Sequence, residues 1–207
     1  MIETMKPQEI ETRSFEIIDA EAKAHDFTEP EWNIVRRMIH TSADFDYMNS
    51  VRFHKDAIEN GIKAIRSGCN IITDTNMARS GIRMMDINGY GGDVMCLIAE
   101  NDVKEESKKT GKTRAVISVE KSVELMKGGI YVVGNAPTAL IQLSEMINAG
   151  SIAPALIIGL PVGFVNTVES KEMLIGTDFP FITNVGRKGG SNIAASVVNA
   201  LIIMSKQ

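Results

Sequence analysis

Five short and almost unbroken apolar runs, separated by longer segments of helical period, leave few options for the fold of this chain. The runs are Asn70–Thr73, Val94–Ala99, Ile130–Val133, Ala155–Gly159 and Phe181–Val185. Strands with one wet face alternate apolar and polar residues, whereas continuous runs belong to strands covered on both faces, as in a parallel sheet layered between helices. Helices are expected at Gln8–His25, Glu31–His40, Lys55–Ser67, Thr113–Lys127, Thr138–Ala149, Ser170–Ile175 and Ser191–Met204. In the first of these, Ile10, Phe15, Ile17 and Ile18 gather near one face while Glu9, Glu11, Asp19 and Lys23 occupy others, the pattern of an amphipathic helix on a core. Pro30 and Pro137 sit where helices can start without losing a needed amide, and Gly68 and Gly150 mark helix ends. No repeat or Ser/Gly/Pro-rich linker divides the sequence, so residues 1–207 are read as a single domain.

Composition narrows the function classes. With 44% hydrophobic and 23% charged residues, the chain can build a globular core. Its net charge of −4 argues against a general nucleic-acid binder, so any anionic ligand has to be held by a local cluster. The most apolar stretch, Ala153–Val165, is broken by Pro154, Gly159, Pro161 and Gly163 and falls short of the ~20 residues a membrane helix needs. Residues 1–23 carry acidic side chains and no basic-then-apolar run, so no signal peptide is expected there. Cys69 and Cys96 show no metal-ligand spacing and read as buried small hydrophobes, which suits a reducing cytoplasm.

In an open parallel sheet, ligands bind beyond the carboxyl ends of the strands. The residues that follow the apolar runs there are Thr73-Asp74-Thr75-Asn76-Met77, Gly134-Asn135-Ala136-Pro137-Thr138, Gly159-Leu160-Pro161-Val162-Gly163-Phe164 and Gly186-Arg187-Lys188-Gly189-Gly190-Ser191. Any one of these loops could be a simple turn; four on one rim point to a site. The last lacks the Walker spacing, and no GxGxxG follows a strand, so no nucleotide cofactor is expected. Among the histidines, His25 and His54 read as solvent-facing caps. His40 closes a helical segment and precedes a loop containing Asp44 and Asp46, where a helix end and nearby carboxylates favour a cationic imidazole. The three are too dispersed to suggest a protein metal site.

Arg36-Arg37-Met38-Ile39-His40, TDTNM (73–77), GNAPTAL (134–140), PALIIGLPVGFVNTVESK (154–171) and GRKGGSNIAASVVNAL (186–201) together resemble the precorrin-8X methylmutase family, from Arg13-Ser14-Phe15 to the last helix. The resemblance implies an isomerase of cobalamin biosynthesis that moves a methyl group from C-11 to C-12 of a corrin precursor, without a redox cofactor or methyl donor. It implies a flavodoxin-like α/β/α fold with a five-stranded parallel sheet, in the order 2-1-3-4-5 of the runs above, and a homodimer. It assigns His40 as proton donor and acceptor, Ser14 as a substrate contact, and Arg114, in Thr113-Arg114-Ala115, to the site. Arg13 and the loop residues Thr75, Asn76, Asn135, Arg187 and Lys188 complete the expected substrate-binding set. TDTNM, the continuation after His40 and GRKGGS look more like the branch whose ring already carries cobalt, although the metal-free branch stays open; that cobalt would belong to the substrate. The competing reading is a carrier that binds a corrinoid without transforming it.

Overall fold

The computed structural model of the protein describes residues 6–207. In chain order it contains α1 (Pro7–Glu21), α2 (Glu29–Ser42), α3 (Tyr47–Ser50), β1 (Val51–Phe53), α4 (Ala57–Arg66), β2 (Ile71–Thr73), α5 (Asn76–Gly81), α6 (Met84–Gly89) and β3 (Val94–Met95). There follow α7 (Asn101–Thr110), α8 (Arg114–Lys121), β4 (Ile130–Val133), α9 (Pro137–Asn148), β5 (Leu156–Gly159), α10 (Thr167–Ile175), β6 (Phe181–Asn184) and α11 (Ser191–Ser205).

The sheet has six strands in the order β1-β6-β5-β4-β2-β3 and is mixed, where five parallel strands were expected. The five runs located in the sequence pair in parallel in the order β3-β2-β4-β5-β6. The additional strand, β1, pairs antiparallel with β6, placing Val51 opposite Asn184 and Phe53 opposite Ile182. β1 escaped notice because its three residues include exposed Arg52 and offer no apolar run. β3 is shorter than expected, ending at Met95, and α1 stops at Glu21 when Ala22 turns extended.

Successive residues of each strand feed opposite cores, which is why the runs are continuously apolar. Ile130, Val132, Leu156 and Ile158 pack with side chains of α2, α4 and α11, while Tyr131, Val133 and Ile157 pack with side chains of α8, α9 and α10. α2 turns fully buried Ile34, Val35, Met38 and Ile39 inward, each side chain contributing roughly 1.5–3 kcal/mol of burial. That packing fixes where its last turn, with His40, can lie. At the other end of the core, α11 starts so close to the end of β4 that a Cβ on Gly134 would fall 2.6 Å from the Ser191 Cα. The site loops therefore start from a closely packed frame.

Candidate active site

Two buried charges organise the loops at the carboxyl rim of the sheet. Asp74, immediately after β2 and 1% exposed, accepts hydrogen bonds from three consecutive backbone amides of the loop after β4. The Gly134 N–H reaches one carboxylate oxygen and the Asn135 and Ala136 N–H groups the other, all at 2.8 Å. Burial pushes the Asp74 carboxyl up, and the three amide donors pull against that. The second charge is Lys171 on α10, also 1% exposed. Its ammonium donates to Asn184 Oδ1 at 2.9 Å, to the Gly186 carbonyl at 2.9 Å and to the Lys188 carbonyl at 2.6 Å. Every acceptor is neutral, and burial pushes the ammonium down to about 8. Gly189, in the same loop, lies against the chain after β5, where a Cβ would come within 2.3 Å of the Leu160 carbonyl oxygen.

Of the residues expected at the rim, Thr75 caps α5 by accepting the Ala78 N–H at 3.1 Å and shares a 2.8 Å hydrogen bond with the Ser191 hydroxyl. Asn76 and Asn135 are exposed. Arg114 is exposed at the first position of α8, brought beside the loop after β4 by a 3.1 Å hydrogen bond between Thr113 and Thr138. The Arg187 guanidinium lies 5.4 Å from the centroid of the Phe164 ring, which is 84% exposed. Among the described residues neither Arg114 nor Arg187 makes an ion pair. Lys188 does, at 2.6 Å to both Asp44 and Asp46.

Ser14 and His40 come together elsewhere, on α1 and α2. With Ile17, Ile39, Ala43 and Phe45 they line one cavity of about 330 Å³. The Ser14 hydroxyl donates to the Ile10 carbonyl at 2.8 Å. His40 is exposed, its ring edge-on to Phe15 at 5.3 Å, and Arg36 and Arg37 lie over the same Phe15 ring at 4.5 and 5.2 Å. Arg13 pairs with Glu16 at 3.0 Å, both residues exposed on α1. The carboxylates expected near His40, Asp44 and Asp46, face Lys188 instead, because the left-handed turn at Ala43 (φ 54°) carries the chain off the helix and toward β6. His25 faces solvent, as expected, whereas His54 does so only in part. His25 stacks on Trp32 at 4.2 Å, and half-buried His54 accepts the Asp56 N–H at 3.2 Å. A larger cavity of about 680 Å³ lies between the start of α2 and α4, and none of the expected site residues lines it.

The sequence pattern of the precorrin-8X methylmutases matches residues 9–204. The chain belongs to the precorrin-8X methylmutase family. As a methylmutase it is an isomerase of cobalamin biosynthesis. A cobalt-precorrin-8 methylmutase of Priestia megaterium is 48% identical over 202 residues, covering 98% of this chain and 90% of that one. A cobalt-precorrin-8 methylmutase of Leptospira interrogans is 44% identical over 206 residues, covering 96% and 94%. The solved structure of a precorrin-8X methylmutase from Thermus thermophilus superposes with a TM-score of 0.90 at 42% identity, covering 96% of each chain. The methylmutase residues that sequence reading missed are the two buried holders, Asp74 and Lys171.

Proposed function

We propose that this methylmutase acts on cobalt-precorrin-8, moving the methyl group from C-11 to C-12 by a proton-assisted 1,5-sigmatropic shift to give the cobyrinic acid framework. The observation that carries the reading is the shared cavity of Ser14 and His40, two residues on different helices that the resemblance alone had linked. The cobalt-carrying ring is favoured by GRKGGS and TDTNM and by relatives at 48% and 44% identity that bear that substrate in their names.

The shift is intramolecular. The methyl carbon leaves C-11 and bonds to C-12 within the conjugated system, and no outside group supplies or accepts it. What a protein can add is a proton and a fixed ring. His40, as imidazolium, donates its proton to a ring nitrogen next to the migrating methyl and takes it back afterwards, a task that suits histidine because it exchanges protons near neutrality. Arg114 and Arg187, which have no carboxylate partner among the described residues, hold the carboxylates of the substrate at the rim through paired N–H groups. Arg13, Ser14, Thr75, Asn76 and Asn135 add polar contacts around the ring edge, and exposed Phe164 offers an apolar surface to its face. The cavity at His40 lies at the small end of ligand pockets, which run to about 300–1,000 Å³. A tetrapyrrole needs more, so a second copy of the chain, in a homodimer, completes the site over exposed Ile17, Phe164 and Val165.

Incubating the protein with cobalt-precorrin-8 and following the absorption spectrum tests the reading. Wild type converts the ring, and His40→Ala lowers the rate on the order of 10²-fold or more while still binding the tetrapyrrole. Binding without conversion by wild type would establish the carrier instead, and full activity in His40→Ala would remove the proton assignment.

A further inference from the structure

Lys188 is one of the charged residues at the rim, yet its ammonium is already committed. It meets Asp44 Oδ2 and Asp46 Oδ2 at 2.6 Å each, and the pairing holds the Asp44 carboxyl below its usual range. Asp44 uses its other oxygen to accept the Asp46 N–H at 3.0 Å, so one carboxylate both shapes its turn and fastens it to Lys188. That turn begins one residue after α2 ends: Ser42 donates to the Met38 carbonyl at 2.8 Å, and its hydroxyl accepts the Asp44 N–H at 3.3 Å. The loop bearing Lys188 is itself held from inside, by Lys171 on the Gly186 and Lys188 carbonyls and by the Asn184 amide, which donates to the Lys188 carbonyl at 2.9 Å. A continuous chain of polar contacts thus runs from the buried ammonium of Lys171 to the end of the helix that carries His40.

We infer that Lys188 is a positioning residue for the methyl shift: through Asp44 and Asp46 it clamps the turn after His40 to the strand rim, from a loop that Lys171 fixes. This rests on the assignment of His40 as the proton-transfer group. It separates Lys188 from Arg114 and Arg187, whose guanidinium groups have no carboxylate partner among the described residues. A substrate carboxylate reaching Lys188 would find two of its three N–H groups already taken by protein carboxylates. The chemical reason for a clamp is that proton transfer needs the donor within hydrogen-bond reach of its target, and a displacement of about 1 Å can cost on the order of 10²-fold in rate.

The test compares Lys188→Met, the double variant Asp44→Asn/Asp46→Asn, the triple combination and Lys188→Arg, all at exposed or half-exposed positions. Turnover and substrate affinity are measured separately with cobalt-precorrin-8. Lys188→Met and the double variant should each lower kcat by a similar factor, about tenfold or more, with Kd within about twofold. The triple variant should lose no more than either, and Lys188→Arg should recover most of the rate. A weakened Kd with kcat retained in Lys188→Met, and an unaffected Asp44→Asn/Asp46→Asn, would make Lys188 a substrate anchor and overturn the clamp, as would losses that add in the triple variant. Amide hydrogen exchange of residues 43–47, measured without substrate, should be faster in Lys188→Met and the double variant than in wild type. Unchanged exchange rejects the clamp whatever the activity, whereas faster exchange in a protein whose wild type does not isomerise the ring rejects the methyl-shift reading and leaves the clamp in place.

Discussion

The carboxyl rim of the sheet and the α1–α2 pair hold their candidate residues by opposite means. At the rim, two charges are buried and each is fully engaged: Asp74 by three amides and Lys171 by three carbonyl-type acceptors. Among its described side chains α1, in contrast, buries only Ile18 and is fastened at its surface by Arg36 to Asp19 at 2.8 Å and Arg37 to Glu11, with Ile10 and Ile17 left exposed. Buried, fully paired polar groups are costly to disturb, whereas exposed ion pairs contribute about 0–1 kcal/mol and weaken with salt. On the proposed reading, the surface that grips the substrate is the harder one to deform, and the helix that carries Ser14 the easier one.

The widest break in that contrast should come from Asp74→Ala, which strips the partner from three buried or half-buried amides. Urea unfolding is expected to show a loss of roughly 3 kcal/mol or more; a loss under about 1 kcal/mol would mean that water replaces the carboxylate and that the rim is not rigid in this sense. Next comes the pH dependence of Lys171. Its ammonium is pushed down to about 8 in the folded protein and keeps a value near ~10.4 when unfolded. Between those values the unfolded chain holds the extra proton, so stability gains with rising pH in that window. Relative to Lys171→Met, wild type should gain about 1–3 kcal/mol between pH 8 and about 10; a constant gap across that range would show that the three acceptors keep the ammonium at its ordinary value. The smallest effect belongs to the helix pair. Arg37→Ala should cost about 0.5 kcal/mol globally while amide exchange in α1 quickens severalfold, and an equal quickening at the rim would erase the distinction between the two regions.

Much of the frame could be read from the residues because strands buried on both faces write themselves as continuous apolar runs. β1 could not, since Val51-Arg52-Phe53 owes its conformation to pairing with β6 and to nothing in its own pattern. The site divides in the same way. His40 and Ser14 are visible through the motifs around them, but Asp74 looks like any turn residue until its burial is known. A signal was present, an acid directly after a buried strand and facing the amide-rich turn after the neighbouring one. Lys171 was better hidden. Thr167, Ser170, Lys171 and Leu174 form the buried face of α10 at helical spacing, and three of the four are polar, so hydrophobic periodicity points away from them. Asp44 and Asp46 illustrate the remaining gap: nearness in sequence suggested a pairing with His40, and a lysine from a distant loop takes them both.

The brevity of the outermost strands bears on how the molecule behaves at high concentration. The sheet ends in strands of three and two residues, and Arg52 folds its own guanidinium onto the Asn49 and Val51 carbonyls at 3.0 and 2.7 Å. The Val51 oxygen lies on the side of β1 away from β6, where another chain would try to add a strand, and an incoming amide finds it already bonded. Short, self-covered borders of this kind discourage edge-to-edge aggregation. Copies of the chain that associate are thereby steered toward contacts between side chains of helices and loops, which makes assembly depend on shape and sequence more than on sheet extension.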